Sequence, residues 1–483
     1  MNNPFRITRG GVVNFTRLFL PVIILLSCVS FIYPQASSSS VLHLSPEKAV
    51  DMAIKNNLMM EMARVGTDMR GRKSRLVWNE FLPNLMVTGT MSRDNYATTA
   101  QGIDFSALPA LKPYSIDLPQ WHVLGNFSAD LTFSFALIQG IRSIQEDYQA
   151  GLVTLEKAKL QMEQGVRKMY NGILLMEANL ELLMDSFENA KRQADIAEAN
   201  FRAGLAPRLI MLQAQVAVEN IKPTINDLEN ALKSLKGNFA LLLGLSFDAD
   251  FELEPVILGA VFIPSDVGEF ISRSASGKPD IKELQANLVT MYTQQKALQL
   301  QAYTPFLRFG WTWSTMFNPV MDPFKENWFT RDNWNGGGNF NVTLGWSINS
   351  LFSFTKEGQM RRDLEAGIQI QNISLARMIR ETELEIFTKL NSLEKIRTSA
   401  ETLQLTVDLA EQSYRLTEEA YRAGLQEFQA VQSAALALNQ AKLQVLTQQF
   451  NYLNDLIDLE YSIGVPFGTL GSTGTQRNNG STR

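Results

Sequence analysis

Cysteine and histidine are almost absent from this chain. Its 483 residues include one cysteine, Cys28, and two histidines, His43 and His122. A lone cysteine excludes an intrachain disulfide, and two histidines so far apart offer no metal-ligand spacing. No glycine loop of the phosphate-cradling kind is present. Neither sign of charge dominates: 44 Lys and Arg stand against 49 Asp and Glu, a net charge of -5. There is thus no basic footprint for nucleic acid. Acids scattered along helical patterns read as solvated faces, so neither an enzyme nor a cofactor is expected.

Long apolar runs are missing too, apart from the stretch between Leu18 and Ile32, which follows Arg6, Arg9 and Arg17. A basic start, a short apolar core and a small-residue exit make residues 1–36 a secretory signal cut near Ala36. A permanent anchor is the alternative, but the run is short for a membrane span. Leu25-Leu26-Ser27-Cys28 loosely resembles a lipoprotein cleavage box, which makes Cys28 a candidate for lipidation.

What the chain has is a phrase said twice. Glu198-Ala199-Asn200-Phe201-Arg202-Ala203-Gly204-Leu205 returns 220 residues later as Glu418-Glu419-Ala420-Tyr421-Arg422-Ala423-Gly424-Leu425. A long helical pattern runs up to each glycine and a second begins after it, so each phrase reads as the corner of a helical hairpin. The seam before the first corner, from Val166 through Ile173, Leu180, Phe187 and Ala194 to Phe201, steps by three and four without a break. That is a heptad pattern far beyond ordinary helix length, and its later members recur at Ile396, Leu403, Ala410, Tyr414 and Tyr421. The chain is internally duplicated.

Read in order, Ser45-Pro46-Glu47 opens a helix that should run to about Glu80. The period then changes from 3.6 to 2 for a strand over about 84–95, and again after a proline-rich loop (Pro109, Pro113, Pro119) for a strand over about 125–137. About 65 proline-free residues follow, a helix on the order of 100 Å long at ~1.5 Å per residue. Beyond the tip at 204 a shorter helix returns, and Pro223 should bend it. Residues 251–264 join this first repeat (37–250) to a second (265–467). The second replays helix, strands over about 304–317 and 338–350, and a long hairpin with its tip at 424. Residues 468–483, rich in Gly, Ser, Thr and Asn, should form a disordered tail.

The strands carry aromatics on one face (Phe133, Phe135, Trp311, Trp313, Trp346) and Ser, Thr and Asn on the other. Their lengths suit a tilted bilayer crossing, which makes those aromatics candidates to face lipid. A soluble sandwich is the alternative, but it needs more strands. Four strands cannot close a barrel in lipid without leaving an open edge, so several chains would have to share one. The charged helical faces exclude the helices from that membrane, and the leader puts them in the periplasm. The fold class that emerges is an α+β membrane protein with long helical hairpins forming a periplasmic α-barrel. Four strands per chain contribute to a shared transmembrane β-barrel. A secreted or membrane-attached coiled-coil stalk without channel activity is the competing account. It explains the heptads but not four symmetrically placed strands.

The doubled order of helix, strand, strand, very long helix, glycine corner and shorter helix resembles the TolC family of outer-membrane efflux channels. Phe201-Arg202-Ala203-Gly204-Leu205, Leu212-Gln213-Ala214-Gln215 and Tyr421-Arg422-Ala423-Gly424-Leu425 resemble it too. The likeness covers Leu42 to Pro466. It implies a homotrimer with a twelve-stranded β-barrel and a twelve-helix α-barrel in the cell outer membrane and periplasm. Such a duct serves a tripartite efflux pump or a type I secretion system, coupled through a periplasmic adaptor to an inner-membrane transporter. By the same resemblance the adaptor docks at the corners, here Arg202, Ala203, Gly204, Leu205, Arg422, Ala423, Gly424 and Leu425. Ordinary corner chemistry would explain the two glycines equally well. Tyr421 matches a tip tyrosine that gates the channel together with an arginine and an aspartate, but those positions here hold Gln426 and Ile210. Ala430 and Ser433 replace an acidic ring, and Glu427 and Glu419 lie elsewhere on the helices. With Tyr421, Gln426 and Glu427 as gate candidates, closure by packing and neutral hydrogen bonds is expected.

Overall fold

The computed structural model describes residues 42–93, 95, 99–104, 112–117, 121–255, 267–317, 334–423 and 425–470. The expected leader with Cys28, the second corner glycine Gly424 and everything beyond residue 470 lie outside the described residues. Backbone contacts divide the chain into two units. The described part of the smaller is Leu42–His43 with Asp250–Glu252, where His43 and Glu252 face each other at 3.4 Å. The rest of the described chain forms the larger.

Strand β1 (Leu42–Leu44) leads into α1 (Pro46–Asn56), whose first turn is capped by the Ser45 hydroxyl. The expected single helix to Glu80 is divided at Asn57, and α2 (Leu58–Arg75) follows. The Asn57 carboxamide oxygen accepts the Met59 N–H at 2.8 Å while its nitrogen donates to the Leu242 carbonyl at 2.9 Å. That side chain starts a new helix and is tied to a distant segment, which a helix running straight through would forbid. A 3₁₀ turn, Val77–Phe81, closes the segment.

Strand β2 (Asn84–Arg93) comes next. The expected proline-rich loop contains an antiparallel hairpin of β3 (Thr99–Asp104) and β4 (Lys112–Asp117), with Pro113 opposite Ile103. Strand β5 (Trp121–Ser134) passes without a loop into α3 (Phe135–Arg202), a 68-residue helix capped by the Ser134 hydroxyl. After the corner, α4 (Arg208–Leu242) carries Pro223 inside it as one undivided helix. Strand β6 (Phe251–Leu253) pairs with β1.

The second half opens with α5 (Val267–Ser274), a 3₁₀ turn at Ala275–Gly277, and α6 (Pro279–Tyr303), so here too the expected single helix is broken. Pro279 at the first helical position explains the restart. Strands β7 (Phe306–Phe317) and β8 (Trp334–Gly345) precede α7 (Lys356–Arg422, 67 residues) and α8 (Phe428–Ile463).

In the larger unit α3 packs against α2, α4, α6 and α8, and α7 against α6 and α8. Ile386, Leu390 and Leu393 of α7 meet Tyr452, Leu456, Leu459 and Ile463 of α8 in one buried cluster. Polar ties run beside it. Lys389 bridges Asp455 and Asp458 at 2.7 Å each, and Lys168 of α3 reaches Asp458 at 2.8 Å. The start of the expected disordered tail is held: Glu460 accepts the N–H groups of Gly468 and Leu470.

Candidate functional sites: a two-faced sheet and a helical tip

Strands β2, β5, β7 and β8 form one antiparallel sheet in the order β2-β5-β7-β8. Opposed residues share a face, and the register gives one mostly apolar and one mostly polar face, the polar one also carrying Met86, Leu124, Phe306 and Met316. On one lie Leu85 and Val87 of β2, Phe127 and Phe133 of β5, and Leu307, Phe309, Trp311 and Trp313 of β7. Phe340, Val342 and Leu344 of β8 complete it. On the other lie Thr88, Asn126, Ser128, Thr132, Thr312, Ser314, Asn339 and Thr343. The apolar face is open: Val87, Phe340 and Leu344 are 77%, 68% and 70% exposed, and Trp313 is 48% exposed. Phe127 meets Trp311 edge-on at 5.5 Å. An aromatic sheet face left this bare is not a stable surface in water.

Of the five predicted lipid-facing aromatics, Phe133, Trp311 and Trp313 stand on this face. Phe135 does not: the Ser134 cap makes it the first residue of α3. Trp346 also lies off the sheet, because β8 ends at Gly345, and its indole N–H donates to the Ala302 carbonyl at 3.0 Å.

At the far end of α3 and α7 the two corners are built alike. The Leu205 N–H donates to the Asn200 carbonyl at 2.8 Å, and the Leu425 N–H to the Ala420 carbonyl at 2.8 Å. Gly204 has a φ of 72°, the left-handed conformation in which such a corner closes without a Cβ clash. Arg202 pairs with Glu198 and Arg422 with Glu418, each one turn back on its own helix. Ala203 and Ala423 cap their helices. Leu205 and Leu425 project freely, 79% and 80% exposed.

The corners also meet. Ala197 of α3, Ala214 of α4 and Phe428 of α8 form a buried cluster, joined by Ala194, Ile210 and Tyr421. The Tyr421 ring stands edge-on to Phe428 at 5.9 Å, and burial raises the pKa of its phenol. Of the three gate candidates only Tyr421 enters this cluster. Gln426 and Glu427 are exposed, and Glu427 precedes α8 without a side-chain capping bond. Sequence reasoning missed Phe428. Its signal was a departure in kind between the repeats, since the matching residue of the first copy is Arg208. Farther from the corners a cleft of about 420 Å³ opens between α3, α4, α7 and α8, lined by Asn189, Gln193, Asn220 and Asn439 among others. Gln193 donates across it to the Tyr414 hydroxyl at 3.0 Å.

Residues 49–245 match the family model described as outer membrane efflux protein. The chain has the fold of solved outer-membrane channels across both repeats. CusC aligns with a TM-score of 0.68 at 16% identity, covering 89% of this chain and 96% of CusC. The Campylobacter jejuni outer membrane channel CmeC aligns at 0.68 and 16% identity, covering 87% and 85%. VceC, an outer membrane protein of Vibrio cholerae, aligns at 0.67 and 15%, covering 87% and 96%. In sequence, the chain is 31% identical over 87 residues to the fusaric acid resistance protein FusA of Burkholderia cepacia. That stretch is 18% of this chain and spans only 16% of FusA. Among the described residues, no helix is long and apolar enough to cross a membrane.

Proposed function

We propose that three copies of this chain form an outer-membrane exit duct for efflux. In it, three four-stranded sheets close a twelve-stranded β-barrel and the helical hairpins continue as an α-barrel through the periplasm. The carrying observation is the bare aromatic face of a sheet whose outer strands, β2 and β8, each have a single strand neighbour among the described residues. In lipid such edges must be paired, and further copies of the same sheet supply the partner strands. The family match over the first repeat and the partial likeness to a resistance protein support export as the task.

A periplasmic adaptor docks at the corners, through Arg202, Ala203, Gly204, Leu205, Arg422, Ala423, Gly424 and Leu425, and couples the duct to an inner-membrane transporter. The free leucines at both corners support this role. The gate closes by packing at the tip, where Tyr421 and Phe428 meet Ile210, with Gln426 and Glu427 at its rim.

The test is planar-bilayer conductance of detergent-purified protein, with the oligomeric mass taken from the same sample. Small discrete steps from a trimer are expected. A silent bilayer together with a soluble monomer or dimer would overturn the duct and favour the coiled-coil stalk.

A further inference from the structure

The four strands of the large sheet contain three residues with formal charge: Arg93, Asp130 and Arg308. Arg93 sits at the end of β2, its guanidinium over the Trp121 ring. The other two lie well inside the sheet. Asp130 pairs in register with Gly310, and Thr132 with Arg308, so both charges are on the polar face as diagonal neighbours. The Arg308 guanidinium lies 3.2 Å from an Asp130 carboxylate oxygen.

Room for this arrangement comes from Gly310. A methyl group there would collide with the Asn341 carboxamide oxygen and press on the Asp130 carboxylate. Asp130, Asn341 and Arg308 therefore converge over a bare stretch of β7. Both charges are near the helical end of the sheet: Asp130 is five residues from the start of α3, and Arg308 two from the start of β7. Neither side chain is sealed off, with exposures of 31% for Asp130 and 53% for Arg308.

Resting on the trimeric duct proposed above, we infer that Asp130 and Arg308 set the ion preference of its β-barrel, as a ring of three opposed charge pairs on the wall of the pore. The polar face of a transmembrane sheet lines the pore, and rings of charged side chains on a pore wall select by sign. The wild-type ring, with each charge answered by its neighbour, discriminates weakly. Either charge left alone makes the ring selective.

The experiment is reversal potential under a salt gradient for purified wild type, Asp130→Asn, Arg308→Gln and the double variant, with trimer mass recorded for each. Arg308→Gln should shift the permeability ratio several-fold toward cations and Asp130→Asn several-fold toward anions. The double variant should return it close to wild type. Conducting trimers whose ion preference is the same in all four would overturn the inference and leave the pair a register lock between β5 and β7. Should a single variant fail to assemble, the charge exchange Asp130→Arg with Arg308→Asp keeps a pair in place, and it should conduct with weak selectivity. If that exchange conducts with strong selectivity of one sign, the inference also fails. A wild-type protein that does not conduct counts against the duct itself.

Discussion

The Glu460 carboxylate accepts the Leu470 N–H at 2.8 Å, and its second oxygen accepts the N–H of Gly468 at 2.9 Å. Glu460 is only 1% exposed. Burial raises its pKa, more than the bonds from Leu470 and Gly468 and the nearby Arg167 lower it. The folded state therefore holds this proton more tightly than the unfolded chain does. Stability should fall as pH rises from the ordinary carboxylate value through the raised one. Thermal unfolding of the purified protein across that range should show the decline, and Glu460→Gln should lack it. Equal slopes would show that another group dominates. Glu460→Ala leaves two N–H groups without their acceptor and should cost about 2 kcal/mol, with faster proteolysis near residue 468.

Asp458 behaves in the opposite way. Burial alone would raise its pKa, but hydrogen bonds from Lys168 and Lys389 together outweigh it and hold the carboxyl below its usual range. Its contribution is fully present above the ordinary carboxylate value and is lost as pH falls through the lowered one. Asp458→Asn should flatten that acid limb and cost about 1–3 kcal/mol, because two partly buried lysines lose a shared anion. Denaturant unfolding of the two proteins at neutral and acid pH would decide. A cost that is unchanged at acid pH would contradict the assignment.

Phe428 is 4% exposed where the two corners meet. Phe428→Ala should remove about 3 kcal/mol of packing, felt locally at the tip. In a bilayer the expected reading is larger or more frequent conductance steps than wild type. Tyr421→Ala, which deletes the other half of the edge-on pair, should act in the same direction. Unchanged steps in both would place the constriction elsewhere.

Leu205 and Leu425 touch little within the chain, so Leu205→Glu with Leu425→Glu should change stability by less than about 0.5 kcal/mol. If the corners hold the adaptor, the same double variant should conduct normally in isolation and fail to pull down the adaptor that wild type retains. Undiminished retention would remove the leucines from the docking surface.

The duplication, the very long helices and the alternating strands were legible because each is a periodic pattern repeated over many residues. Phe133, Trp311 and Trp313 could be assigned to one face for the same reason. Boundaries were harder. Phe135 continues the alternation of β5 yet starts a helix, because Ser134 supplies a cap that outweighs the period. The division at Asn57 depends on the Leu242 carbonyl, 185 residues away, and no local pattern reports it. Pro113 marks a loop by propensity, yet it sits opposite Ile103 in a hairpin. The meeting of Ala197 and Ala214 with Phe428 is a contact between repeats. Heptad periodicity gives each helix an inward face but not its neighbour.

Because α3 and α7 differ by one residue in length and their ends pack on each other, neither hairpin can change its reach alone. Losing two turns from one would withdraw its corner by about 11 Å, and Phe428 would part from Ala197 and Ala214. Only matched deletions in both repeats keep the corners level. The proposed duct can lengthen or shorten through paired events in its lineage, and the distance it spans is inherited as one quantity encoded at two places.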